Sequence, residues 1–193
     1  MRHALLLEYF QRLPALPDGD FFANRSIELH IHLERFRKEV RQRYTEGTLL
    51  RLLENGGVQL RRAALLALGL QGTMVANAAV ASRLHDDDAQ VRRLAADALW
   101  NIWFRAEGET NRRELQRLSQ LPDLNKSLRG LNALLERCPS FAEAYNQRAI
   151  VLFRMGKYQK SASDCQKALH LNPFHFGAQA GLAPVSYTHL RAH

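Results

Sequence analysis

The sequence predicts an all-α chain, an α-α superhelix (solenoid) in which successive helix pairs stack along the sequence. Three observations predict it. Apolar residues recur at helical spacing almost throughout, and no strand alternation appears before residue 184. The stretch 59–69 recurs at 90–100, and a second, longer kind of unit spans 142–175. The composition agrees. Of 193 residues, 46% are hydrophobic and 24% charged, with only 11 Gly and 6 Pro, which is ordinary for a folded protein and too poor in turn-formers for a disordered or turn-rich all-β chain.

The same figures exclude several classes. No run of 18 apolar residues exists, so no membrane span is expected. The short apolar run at residues 4–7 is interrupted by Glu8 and is followed by no small-residue cleavage site, so no secretory signal is expected. Two cysteines make no disulfide framework, and a cytoplasmic setting follows.

Residues 1–44 form an N-terminal helical segment. A first helix spans about 3–13 and stops near Pro14, where a Pro- and Gly-bearing loop begins. A longer helix covers 26–44, because Leu29, Leu33, Phe36, Val40 and Tyr44 form one apolar stripe opposite Arg35, Lys38, Arg41 and Gln42. Ser26 or Asn24 can cap its start.

Residues 45–107 carry the shorter recurrence. Gln59 to Gly69 (QLRRAALLALG) matches Gln90 to Trp100 (QVRRLAADALW): Leu60 aligns with Val91, Arg61 and Arg62 with Arg92 and Arg93, Ala64 with Ala95, Ala67 with Ala98, and Leu68 with Leu99. A shorter helix precedes each, over about 48–55 and 74–85, with turns at Gly56-Gly57 and at Asp86, Asp87 and Asp88. Small Ala positions let helices approach closely, and the acidic turn is placed to cap the helix that follows it. This pattern resembles two HEAT-like repeats, with the turn Asp, the Val91-Arg92 step and the run Ala95-Ala96-Asp97-Ala98-Leu99. The short period is similar to the compact repeats of bacterial proteins and of bilin-lyase-type proteins.

The longer unit follows over 142–175. Counting Ala142 as one, Tyr145, Leu152, Tyr158 and Cys165 fall at positions 4, 11, 17 and 24. Ala149, Ser161 and Ala168 fall at 8, 20 and 27, and Pro173 at 32. The small residues belong where two antiparallel helices cross, and the large ones fill the space around the crossing. Met155-Gly156-Lys157 makes the turn, with Gly156 where a left-handed backbone is easy. This unit resembles a tetratricopeptide repeat. The stretch before it, 108–141, is a degenerate copy of the same length, with Ser127, Leu131, Leu134 and Pro139 at positions 20, 24, 27 and 32 but Leu115 in place of the small residue at 8. Residues 176–183 begin a truncated third copy. The decapeptide 184–193 resembles translated sequencing-adapter read-through, so it is read as a non-native tail, with the natural chain continuing into further repeats.

The tetratricopeptide resemblance implies a concave groove, lined by first helices, that binds an extended peptide. In the clear repeat its groove positions are Glu143, Asn146, Gln147, Ile150 and Arg154. Some members clamp a carboxylate there with Lys and Asn. Asn146 suits that role, but Ile150 replaces the second polar group, so a mixed polar and apolar groove is expected.

Chemistry is thin elsewhere. His30 and His32 stand two apart on a helix and face apart, and no Gly-rich phosphate loop, nucleophile elbow or His-Glu-x-x-His motif is present. Cys138 and Cys165 lack a context that would activate a thiol. Trp100, Trp103 and Phe104, at steps of 3 and 1, are read as the packing joint between the two kinds of repeat. No catalytic residue, metal site or cofactor is expected.

The charge is +8, and residues 108–183 hold 11 Lys and Arg against 6 Asp and Glu. The functional expectation is therefore a non-catalytic scaffold that binds a protein or peptide segment, favouring an acidic one. Nucleic-acid binding through the basic surface is an alternative that the lack of interleaved aromatics disfavours. A bilin-lyase-type HEAT enzyme is a further one, resting on the repeat period alone.

Overall fold

The computed structural model describes residues 2–14 and 27–182. Among them the regular structure is helical and no strand occurs. The expectation about the tail at 184–193 and that about Ser26 or Asn24 as a cap fall outside these residues. The chain divides into two compact units, Met1–Ile102 and Trp103–His193.

In the first unit, α1 (Arg2–Gln11), α2 (Ile27–Arg43) and α3 (Glu46–Asn55) all pack on α4 (Val58–Gln71). The reason is in the sequence of α4. Ala63 through Gly69 are all buried, and a helix that is apolar all round must be covered on every side. The stripe expected on α2 is the one that is buried, Leu29, Leu33, Phe36 and Val40. Thr45 caps α3 by accepting the Thr48 N–H at 3.2 Å.

The segment expected as one helix over 74–85 is broken. It runs as a 3-10 turn, Met74–Ala76, then α5 (Asn77–Ser82), then a second 3-10 turn, Arg83–His85. Local polar side chains compete with the backbone there: Thr73 Oγ1 accepts the Val75 N–H at 3.2 Å, and Ser82 Oγ donates to Ala79 O at 2.8 Å. Thr73 is itself held by Glu46, whose Oε1 accepts the Thr73 N–H at 2.8 Å.

α6 (Ala89–Arg105) begins where the sequence register requires, its Ala89 answering to Val58 at the start of α4. Ala64 and Ala95, Ala67 and Ala98, and Leu68 and Leu99 are all buried. The first pair of the register differs. Val91 is buried, whereas Leu60 is only half-buried and lines a crevice of ≈ 540 Å³ with Tyr44 and Leu52.

The acidic turn does more than cap. Asp88 Oδ1 accepts the Val91 N–H at 2.8 Å, and its carboxylate takes Arg62 Nε at 3.0 Å and Nη2 at 2.5 Å. Asp86 takes Arg61 Nη2 at 3.0 Å. The two arginines of α4 thus tie that helix to the turn ahead of α6. The Arg62 guanidinium holds the Asp88 carboxyl down from its ordinary 3.8 to about 2, against an opposing effect of desolvation.

The second unit contains α7 (Gly108–Ser119), α8 (Leu124–Arg137), α9 (Ala142–Arg154) and α10 (Tyr158–Leu171), followed by helical residues 176–182. The short links make successive helices antiparallel. α7 packs on α8, α8 on α9, and most extensively α9 on α10. Its core joins Leu115, Leu118, Leu131 and Leu134 to Phe141, Ala144 and Val151.

The caps can be tested directly. Gly57 lies 31 residues before Asp88, the spacing at which 59–69 recurs as 90–100. It has extended backbone (φ −64°), makes no side-chain cap, and has open space where a Cβ would lie. Gly57→Asp should therefore cap α4 and restrict the unfolded chain, raising stability by about 0.5–1 kcal/mol in urea denaturation. Asp88→Asn keeps the cap but loses the charge. The native carboxylate has a lowered pKa, so its contribution is complete above pH 3.8 and is lost as pH falls through about 2. The stability gap between the native chain and Asp88→Asn should be constant above about pH 4 and shrink toward about pH 2.

Candidate functional site

The candidate site is the α9–α10 pair with its neighbours in the second unit. The pair forms because small side chains sit where the helices cross. Ala149 of α9 meets Cys165 and Ala168 of α10 in one buried cluster with Ala178. Ser161, also buried, donates its hydroxyl to Ala149 O at 2.8 Å, so the polar group that makes room for the crossing is also satisfied. Gly156 turns the chain with φ +73°, as the sequence requires. α10 stops before Pro173.

The α7–α8 pair solves the same problem one helical turn away. Leu115 occupies the position held by Ala149 and is fully buried. Ser127 donates to Leu118 O at 2.9 Å, nearer the turn than Ser161 reaches in the other pair. The small residue is now on α8, where Gly130 lies against the Leu118 side chain with no room for a Cβ. Asp123 caps α8 through the Asn125 and Lys126 N–H groups at 2.9 and 3.0 Å.

Three helices are tied by one guanidinium. Arg148 of α9 binds Asp164 of α10 through Nε and Nη2, both at 2.7 Å, and donates to Asn132 Oδ1 of α8 at 2.9 Å. Its pKa is raised by the hydrogen bond to Asp164.

The five groove positions read from the sequence separate into two groups. Glu143 and Asn146 are 1% and 2% exposed. Gln147 is half-buried, while Ile150 and Arg154 are exposed. The buried end is a polar cluster. Glu143 Oε1 accepts Gln147 Nε2 at 2.6 Å and Asn146 Nδ2 at 3.3 Å, and Glu143 Oε2 lies 2.8 Å from His175 Nε2. His175 is fully buried, and Trp103 stacks on its ring. At the other end Ile150 and Phe153 are exposed, and Phe153 meets Tyr158 edge-on at 5.1 Å.

Sequence reasoning did not identify His175 or Trp103 as neighbours of Glu143. His175 is the last residue of the 142–175 unit, and a lone His offers no periodic signal. Of the aromatic trio, Trp103 is buried and stacked in the second unit, whereas Trp100 and Phe104 are half-buried. The two thiols are held protonated: burial raises the pKa of Cys165, and that of Cys138 rises for the same reason. Among the described residues no three of His, Cys, Asp and Glu are grouped to hold a metal ion, and no helix is long and apolar enough to cross a membrane.

The tetratricopeptide repeat family model matches residues 142–175. This segment is a tetratricopeptide repeat. A TPR repeat-containing protein of Rhizobium etli is 47% identical over 47 residues, covering 24% of this chain and 23% of that protein. The chain thus matches less than a quarter of the length of this curated relative. No solved structure matches.

Because nothing lies within 4 Å of a Cβ placed on Gly156, the cost of a side chain there is conformational alone. Gly156→Ala should lower stability by about 1 kcal/mol, the penalty of a left-handed backbone for an L residue. Thermal unfolding would show it as a lower Tm with unchanged helical content.

Proposed function

We propose that the protein is a non-catalytic interaction scaffold and that its tetratricopeptide unit docks a partner segment on the exposed half of α9. The observation that carries this reading is the pair Ile150 and Phe153. They stand one turn apart on a helix whose other faces are packed, yet remain 46% and 40% exposed. Large apolar side chains kept out of the core on a rigid helix are what an apolar anchor of a peptide needs. Arg154, Lys157 and Lys160 follow at the turn and the start of α10, and no ion pair engages them among the described residues. They favour an acidic flank on the partner. The HEAT-like reading of residues 45–107 is part of the same proposal: two helix pairs locked by the Arg61, Arg62, Asp86 and Asp88 contacts would extend the scaffold.

Selection of a random peptide display library against the full chain tests this. Bound peptides should share an apolar anchor flanked by Asp or Glu. Ile150→Glu and Arg154→Glu should each weaken them by about tenfold or more, as loss of an anchor at an interface centre does. Undiminished binding by a folded Ile150→Glu chain would remove the assignment.

A further inference from the structure

A crevice of ≈ 300 Å³ opens among α8, α9 and α10 of the second unit, and hydrogen-bond donors dominate its lining. Arg148 lies within it. A guanidinium carries five N–H groups. Here Nε and one N–H of Nη2 go to Asp164, and one N–H of Nη1 goes to Asn132 Oδ1. The second N–H of each Nη is left over. Asp164 is the one carboxylate in the lining, and both its oxygens lie on Arg148 at 2.7 Å. It is buried, so its charge is met inside the chain.

The remaining polar groups face no such match. Asn132 commits its oxygen to Arg148, which leaves its amide N–H groups to donate. Ser163 is exposed and offers a hydroxyl. Lys157 and Lys160, also exposed, line the same crevice, and no ion pair engages them among the described residues. Arg148, Lys157 and Lys160 against Asp164 make three positive charges to one negative, a surplus of two.

These donors come from α8, α9 and the start of α10, and so from several directions. A carboxylate has two oxygens in one plane and a single charge, and one guanidinium satisfies it, as Asp164 shows. A phosphate ester has three acceptor oxygens and a charge of about −1.5 to −2 at pH 7. The charge surplus and the spread of donors match the phosphate. The volume lies at the lower end of the range for ligand sites, about 300–1,000 Å³, which suits one side chain. Leu128 and Leu152 give the crevice an apolar contact for the carbons that carry the phosphate.

We propose that this crevice binds a phosphorylated Ser or Thr side chain of a protein partner. Arg148 and Asn132, which hold each other, are the ordered donors, and Lys157 and Lys160 supply the charge that the phosphate neutralises. This rests on the scaffold reading and deepens it: the acidic flank of the partner becomes a phosphate group received between α8 and α10.

The test is an amide-shift NMR titration of the full chain with N-acetyl-O-phospho-L-serine amide. The probe should bind with a Kd on the order of millimolar. Lys157→Gln and Lys160→Gln should each weaken it by about two- to fivefold, as loss of an exposed ion pair does, and the double variant by about tenfold. Both side chains are exposed, so the variants should fold as the native chain does. Lys167→Gln removes the same charge from an exposed position of α10 outside the crevice and should leave the Kd unchanged. An equal loss from Lys167→Gln would mean attraction to a basic surface and would overturn the site, as would full binding by the double variant.

Two further probes separate the sources of negative charge. Inorganic phosphate and N-acetyl-L-glutamate α-amide, at matched ionic strength, should bind at least about threefold more weakly than the phosphoserine amide. Inorganic phosphate that binds as tightly assigns the crevice to a free anion, and glutamate amide that does so assigns it to any carboxylate; either result overturns the proposal. Lowering the pH from about 7 to about 5 takes the phosphate through its second pKa near 6 and should weaken binding. The probes carry no apolar anchor, so failure of this crevice and failure of the Ile150 docking surface give separate results.

Discussion

How closely two helices can approach is set by the smallest side chains at their crossing, and the second unit is organised around that limit. In the α9–α10 pair the limit is met by Ala149, Ala168 and the Ser161 hydroxyl that bonds to the Ala149 carbonyl. A buried hydroxyl without a partner costs free energy, whereas one that meets a carbonyl across the crossing fixes the register of the two helices. The α7–α8 pair also has a buried serine but makes the room elsewhere. With Leu115 where the crossing would otherwise be, Ser127 bonds one turn closer to the loop, and Gly130 makes the room that the first helix does not. The large residue on α7 is therefore compensated within the same pair.

Polar ties then connect pair to pair. Arg148 joins α8, α9 and α10 through Asn132 and Asp164. Arg61 and Arg62 join α4 to the turn ahead of α6. Such partly buried ion pairs add little over a well-packed apolar contact, because desolvation offsets the attraction. What they provide is selectivity. A slip of one helix by a turn would leave a desolvated Asp164 or Asp88 without its guanidinium, and that state is costly. Apolar leucines alone would tolerate the slip.

Most of the fold was legible because it is local. The stripe on α2, the shared register of α4 and α6, the Gly156 turn and the stop before Pro173 each depend on a few neighbouring residues whose period or backbone conformation carries the signal. The break of residues 74–85 was less visible, because Thr73 and Ser82 act there by single hydrogen bonds that no periodicity reports. The surroundings of the five candidate positions on α9 were legible only in part. Ile150 and Arg154 are exposed, but Glu143 and Asn146 are buried with His175, 32 residues from Glu143 in sequence, beside an indole from α6. Position within a repeat tells which face a residue lies on. It does not tell what a distant part of the chain has placed over that face.

That burial also changes what the net charge means. The basic excess of residues 108–183 suggests attraction of acidic partners as a whole. Much of it is neutralised locally: Arg148 is engaged by Asp164, Arg112 and Arg113 by Glu109, and Arg137 by Glu114. Among the described residues, the cations without such a partner include Arg154, Lys157 and Lys160, gathered at the α9–α10 turn. Glu143, the carboxylate that would oppose an acidic ligand at the groove, has its oxygens turned inward to His175, Gln147 and Asn146. Under the proposed docking, the field a partner segment meets is set by Arg154, Lys157 and Lys160 at the α9–α10 turn and not by the net charge of the whole segment.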